Sequence, residues 1–129
     1  MKFKQVRMRK ILKKFKTATV SIYMLLNPTT LKPFYVGVTK HTLDHRLRQH
    51  LTDAKSTKSY NIKKAKNQYI KQLIENGNPP TIVLIQVVPI NEAKVLERKY
   101  YDELIRMNYV LLNSPDAFCY SGNNGWGKI

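Results

Sequence analysis

The chain alternates between two hydrophobic periods, and the switches between them mark its elements. Between Thr17 and Leu26, residues Ala18, Val20, Ile22, Met24 and Leu26 take every second position against Thr19, Ser21, Tyr23 and Leu25. That is a period-2 strand with one apolar face. Asn27-Pro28-Thr29-Thr30 is a turn cluster, and a second short strand follows over Phe34 to Val38. Together they predict an antiparallel hairpin. On the second strand Phe34, Val36 and Val38 share one face and Tyr35 and Gly37 the other. Tyr23 and Tyr35 are therefore expected side by side, on the face away from the core.

The period then changes to 3.6. Thr42 can cap a helix to about Ala54, with Leu43, Leu47, Leu51 and Ala54 as its buried stripe and Arg46, His50 and Asp53 on another face. A second helix is predicted from Tyr60 to Asn76, with Ile62, Ala65, Tyr69 and Leu73 inward and Gly77 as its stop. After Pro79-Pro80, the dense apolar run Thr81 to Val88 reads as a central strand. Asn91 is placed to cap a last helix to about Met107, and Ile90 with Val95 suits a hydrophobic staple. Its inward stripe is Ala93, Leu96, Tyr100, Leu104 and Met107, and Tyr109 to Leu112 reads as a closing strand. At the N-terminus Met8, Ile11, Leu12 and Phe15 define one helical face. The expected architecture is α/β in the α+β sense, a small central antiparallel sheet flanked by about three helices. Residues 1–16 form a basic arm or helix, 17–113 the domain proper, and 114–129 a Gly/Asn-rich tail packed on it.

Composition narrows the partners. With 129 residues and 43% hydrophobic, the chain fits one domain with one core. The 23 Lys and Arg against 8 Asp and Glu give a formal charge of +15. So much self-repulsion in a small domain points to an anionic partner, nucleic acid first and an anionic membrane second. Residues 1–16 alone carry eight Lys or Arg and no acid. They serve as a solvated amphipathic helix, as an arm along the phosphate backbone, or as both. The single cysteine, Cys119, excludes an internal disulfide and a cysteine zinc cluster. No apolar run reaches the roughly 20 residues of a membrane span. Val20 to Leu26 is too short for a signal-peptide core and lacks a cleavage site. The expectation is a soluble, intracellular protein with no membrane role.

Three groups of residues carry potential chemistry. Glu97 lies inside the inward stripe of the last helix, between Ala93 and Tyr100. A buried carboxylate needs a partner such as a cation or a metal, and the alternative is a carboxylate at the stripe's edge paired with a lysine. Arg46 and His50, one turn apart, form a second group, because an arginine fork can hold two phosphate oxygens at once. His41 and His45 are also a turn apart, but no carboxylate or cysteine stands at zinc-ligand spacing near them.

In order, these residues resemble a known family. Ser21-Ile22-Tyr23 is followed by Tyr35-Val36-Gly37, by Arg46 on the next helix, by Glu97 on a later one, and by Asn113 after the closing strand. This order is similar to that of the GIY-YIG nuclease superfamily, and it covers about Val20 to Asn113. The segment from Phe34 to Thr39, followed by Arg46 and His50, resembles the family's strand-to-helix segment. Glu97-Arg98-Lys99-Tyr100-Tyr101 leading to Leu112-Asn113 resembles its metal-binding helix and closing strand. Ser21 departs from the usual glycine of the first motif and Val36 from the usual isoleucine of the second.

The resemblance implies a metal-dependent DNA endonuclease that leaves a 3′-hydroxyl and a 5′-phosphate. Glu97 would hold one Mg²⁺ or Mn²⁺, which keeps several waters and touches the scissile phosphate. Arg46 would stabilise the pentavalent transition state. Tyr23 or Tyr35 would orient or deprotonate the attacking water, a role that requires positive charge nearby to favour the phenolate. His50 is an alternative base or a phosphate contact, and Asn113 an orienting group. DNA contacts are expected from Gly37, whose missing side chain would let DNA approach, from Lys40 and Arg48, and from Lys10, Lys13 and Lys14 on the arm. With the catalytic module filling the chain, specificity is low, arises from a homodimer, or is lent by a targeting partner protein. The rival reading is a non-enzymatic basic protein that binds DNA or RNA.

Overall fold

The computed structural model describes residues 18–114. The N-terminal arm with Lys10, Lys13 and Lys14, the tail and Cys119 lie outside the described residues. Strand β1 spans Thr19–Leu26 and β2 spans Pro33–Thr39, joined by the turn that Asn27 organises. The Asn27 side-chain oxygen accepts from the backbone N–H of Thr29 at 2.9 Å and of Thr30 at 3.3 Å, and Leu31 takes a positive φ of 59°. Helix α1 (Leu43–Lys55) starts where Thr42 Oγ1 accepts from His45 N at 3.2 Å. Then come α2 (Ser59–Ile62), α3 (Ala65–Glu75), β3 (Thr81–Pro89), a 3₁₀ turn over Ile90–Glu92, and α4 (Ala93–Arg106). Among the described residues the fold is α+β, a three-stranded antiparallel sheet with four helices, as the pattern predicts up to one helix split in two.

The strand order is β2-β1-β3, so β1 is the middle strand and β3 an edge. The apolar run of β3 predicts a central position, yet Leu84 and Val87 are 46% and 53% exposed. A continuous apolar run does not distinguish a strand buried on both faces from an edge strand with apolar residues left in the open.

The sheet is covered on both faces, not one. Val20, Ile22, Val36, Val38 and Val88 pack with Ala93, Leu96, Tyr100 and Leu104 under α4. On the other face Tyr23, Leu25 and Phe34 pack with Ala54, Ile70 and Leu73, and Leu43, Leu47 and Leu51 join them from α1. Tyr23 is therefore inside a second core rather than on a free face. A tyrosine reads as the polar member of an alternation, but its ring is a large apolar body that a sheet buries readily.

The predicted helix over Tyr60 to Asn76 is interrupted at Lys63 and Lys64, the latter extended at φ −75°, ψ 126°. The Asn67 side-chain amide donates to Asn61 O and that of Gln68 to Ile62 O, both at 3.0 Å, which satisfies carbonyls that the break frees. The break also rotates the buried stripe. Asn61, Lys66, Asn67, Ile70 and Leu73 point inward, whereas Ile62 is 51% exposed and Ala65 is exposed. Gly77 ends α3 at φ +77°, with Asn78 N donating to Leu73 O at 2.8 Å.

Three further expectations at the C-terminal end change. Asn91 sits in the 3₁₀ turn and does not cap α4, whose preceding residue Glu92 makes no side-chain cap. Met107, expected inward, lies just past α4 and is 61% exposed. Tyr109 to Leu112 forms no strand. Instead Leu112 N donates to Phe34 O at 2.7 Å, and the Asn113 side chain completes the pairing along β2.

Candidate active site

Tyr23 is the centre of the site because it sits in the middle strand and directly opposite Gly37. A Cβ at position 37 would overlap the Tyr23 hydroxyl and ring, and would lie 2.9 Å from Tyr35 Cε1. The space the glycine leaves is thus filled by Tyr23, and Gly37 itself is buried. Its steric need comes from within the protein rather than from an approaching DNA backbone. Tyr35 tilts against Tyr23 with ring centroids 6.2 Å apart, and keeps some exposed surface.

Helix α1 brings Arg46 and His50 to the same oxygen. Arg46 Nε donates to Tyr23 Oη at 3.1 Å, and His50 Nε2 lies 2.7 Å from it. The spacing of one helical turn makes both reach a single point. Arg46 also donates through its terminal nitrogen to Gln49 Oε1 at 2.9 Å. Its guanidinium borders an open cleft of about 410 Å³ lined by His45, Arg46, Arg48, Gln49, Thr52 and Asp53. Arg46 is only partly buried, so it is the cation of the cluster that faces outward.

His50 is fully enclosed, and its second ring nitrogen, Nδ1, lies 2.9 Å from Lys66 Nζ. With both nitrogens engaged and no exposed surface, His50 has no atom to offer a phosphate. Sequence reasoning misses Lys66, which is 8% exposed and also stands over the Tyr35 ring at 5.3 Å. The signal available is its position four residues before Ile70 and seven before Leu73, on the inward stripe of α3.

Burial dominates the electrostatics. Burial raises the Tyr23 phenol well above its usual pKa, Tyr35 adds to the rise, and Arg46 only partly offsets it. Burial likewise raises Tyr35, opposed by Arg46 and by hydrogen bonding between the two tyrosines. The expectation that surrounding cations favour the phenolate is therefore reversed in the resting protein. Burial and the charges of Lys66 and Arg46 push His50 down to about 2, so it is neutral. Burial, with Arg46 and Lys64 against Asp53, lowers Lys66 to about 8.

Glu97 belongs to α4, on the other face of the sheet, yet its charge raises both phenols. It is partly buried, and burial lifts its carboxyl to about 7 against the pull of Lys94. Among the described residues its carboxylate makes no hydrogen bond or salt bridge. Asn113 clamps the backbone of Val36, donating to its carbonyl at 2.7 Å and accepting from its N–H at 3.2 Å. It therefore holds β2 and has its amide committed. Lys40, before α1, and Arg48, within it, are both exposed, with Arg48 Nε donating to Asp44 O at 3.4 Å. The structure thus brings together Tyr23, Tyr35, Arg46 and His50, and leaves Glu97 and Asn113 adjacent to that cluster rather than in it.

Among the described residues, no group of three or more His, Cys, Asp or Glu converges for a metal, and no helix is long and apolar enough to cross a membrane. His41 and His45 lie against each other with ring centroids 4.5 Å apart and planes tilted by 49°, without a third such ligand among the described residues. No family model, curated protein or solved structure matches the chain.

Proposed function

We propose that the chain is a divalent-metal-dependent DNA endonuclease of the GIY-YIG type, hydrolysing phosphodiester bonds. The observation that carries this reading is the meeting of Arg46 and His50 on the Tyr23 hydroxyl, beside Tyr35 and a basic cleft. A structural tyrosine needs one partner for its hydroxyl. A phenol oxygen shared by a guanidinium and an imidazole, within a 129-residue chain of charge +15, suits phosphate chemistry better.

Hydrolysis requires a deprotonated water, neutralised non-bridging oxygens and help for the leaving oxygen. Arg46, the outward-facing cation, would hold the phosphate oxygens and the charge that develops on them. Tyr35, which keeps exposed surface, would meet the attacking water, with Tyr23 behind it as the group that accepts the proton once it is ionised. The donor set at Glu97 fits Mg²⁺ or Mn²⁺, since such ions take one or two carboxylates and complete their sphere with waters and substrate phosphate. Lys94 acts on the Glu97 carboxyl through its charge, and a divalent ion would compete with it there. When bound, the ion would neutralise charge at the scissile phosphate. The excess of Lys and Arg, including exposed Lys40 and Arg48, would bind DNA with little sequence preference and steep salt dependence. Selection of a target then falls to a homodimer or a partner protein.

The test is plasmid nicking by the wild type, Glu97→Ala and Arg46→Ala, each with Mg²⁺, with Mn²⁺ and with EDTA. Circular dichroism should establish that both variants are folded. Metal-dependent nicking by the wild type, abolished in both folded variants, is the expected outcome. DNA binding that survives EDTA, with no cutting under either metal, would replace this reading by a nucleic-acid-binding protein without catalysis.

A further inference from the structure

Tyr23 and His50 are both 0% exposed. Solvent therefore cannot take the Tyr23 proton, and the phenol can lose it only through a side chain. Among the described residues His50 Nε2, 2.7 Å away, is the acceptor that leads away from the reacting side of Tyr23, because Arg46 Nε–H is a donor and the Tyr35 hydroxyl is the group on the side of the attacking water. His50 is in turn followed by Lys66 Nζ at 2.9 Å, and Lys66, 8% exposed, is the member of the row that keeps some contact with solvent.

We propose that Lys66 is a positioning residue that accepts the Tyr23 proton through His50, so that the row Tyr23–His50–Lys66 is a proton relay serving the reaction. The catalytic part of this inference rests on the nuclease reading above. The relay itself is a property of the resting chain.

The protons balance in one concerted step. The Tyr23 O–H gives its proton to His50 Nε2, and His50 Nδ1 gives its own to the neutral Lys66 amine. The products are a phenolate, a neutral imidazole now carrying its proton on Nε2, and an ammonium. Every contact is then matched: Lys66 donates to Nδ1, while His50 Nε2–H and Arg46 Nε–H both donate to the phenolate oxygen. Charge-assisted bonds of this kind are the strong ones. When the phenolate takes a proton from the attacking water by way of the adjoining Tyr35 hydroxyl, Tyr23 is restored. Lys66 then releases its proton to solvent, and the row is reset when the imidazole proton returns from Nε2 to Nδ1, the tautomer exchange that ¹⁵N NMR reads.

An ammonium at Lys66 blocks the step, because it fixes His50 with its proton on Nε2 and leaves no acceptor at His50 for the Tyr23 proton. The groups that face Lys66 set when this happens. His50, Arg46 and Asp53 do so from α1, Tyr35 from the sheet, and Lys64 from the residue before α3. Burial, Arg46 and Lys64 lower its pKa and Asp53 raises it, with the result at about 8. The relay is thus closed at low pH and open above about 8.

Two measurements test this. The first needs no DNA: ¹⁵N NMR of the His50 ring in the wild type, in Lys66→Arg and in Lys66→Met, between pH 6.5 and 9.5. The wild type is expected to move its imidazole proton from Nε2 to Nδ1 as pH rises. Lys66→Arg, whose guanidinium stays charged, is expected to keep it on Nε2 throughout. The second is nicking against pH with saturating Mg²⁺. The wild-type rate should rise through about pH 8, and Lys66→Arg should lose that rise and fall by about 10- to 100-fold at pH 9. Lys66→Met, which keeps the volume without a proton acceptor, should share the loss if the arginine variant does not fold. A wild-type His50 proton that stays on one nitrogen from pH 6.5 to 9.5 would overturn the relay whether or not the chain cuts DNA. An unchanged pH profile in a folded Lys66→Arg would overturn it too. A tautomer that switches in a chain that never nicks would uphold the relay and remove the nuclease reading instead.

Discussion

A methyl group at position 37 would press on the Tyr23 hydroxyl and ring, and the ring has nowhere to go. It is enclosed by the core, and its oxygen is held by Arg46 and His50. Gly37→Ala is expected to cost about 1–3 kcal/mol, the usual range for overpacking, and to separate Tyr23 from Arg46. Urea midpoints measure the first effect, and nicking by the folded variant measures the second. An unchanged midpoint would mean that the ring yields freely. Tyr23, Tyr35, Arg46 and His50 are legible in the sequence because their order and spacing converge on one helix face and one pair of strands. The depth of Tyr23 is not, since a tyrosine fits either face of a sheet. Lys66 is harder still. It occupies an inward position relative to Ile70 and Leu73, yet burying a lone ammonium is so unfavourable that the sequence favours a solvated lysine. Only the facing His50 and Tyr35 reverse that choice, and their proximity is a long-range fact.

At the level of elements, one side chain replaces the strand expected over Tyr109 to Leu112. Asn113 pairs with both the N–H and the carbonyl of Val36, and Leu112 N pairs with Phe34 O, so β2 has partners on its outer edge without a fourth strand. Asn113→Ala leaves two backbone groups of a buried residue unpaired, at a cost of about 1–3 kcal/mol. Asn113→Asp should cost at least as much at pH 7, because a carboxylate would face the Val36 carbonyl. Chemical denaturation of the two variants checks the order, and a neutral Asn113→Ala would show the clamp to be dispensable. The hairpin, the Thr42 cap, the α1 stripe and the Gly77 stop follow from local rules and are readable in advance. The position of β3 at the edge, the break at Lys63 and Lys64 and the missing closing strand are not. Each depends on which element stands beside it, and periodicity carries no information about neighbours.

For the whole molecule, the enclosed His50 and the partly buried Glu97, on opposite faces of the sheet, make stability depend on pH in opposite directions. His50 has a folded pKa of about 2 against an ordinary 6.5, so the unfolded chain binds the extra proton between those values. Its contribution is therefore present above pH 6.5 and is lost as pH falls toward 2. Glu97, raised to about 7 from an ordinary 4.5, binds its proton more tightly in the fold. Its contribution is present below pH 4.5 and is lost as pH rises through 7. Each acts with a slope of at most about 1.4 kcal/mol per pH unit, so between pH 6.5 and 4.5 they largely cancel. In EDTA, which keeps a divalent ion off Glu97, the wild-type urea midpoint should change little across that window and fall below it. His50→Gln removes one arm, and its midpoint should climb as pH drops from 7 to 4.5. Glu97→Gln removes the other, and its midpoint should fall from pH 6.5 downward. Parallel curves for all three proteins would mean that His50 and Glu97 are open to water, and the enclosed hydrogen-bonded row from Lys66 to Tyr23 would lose its physical basis.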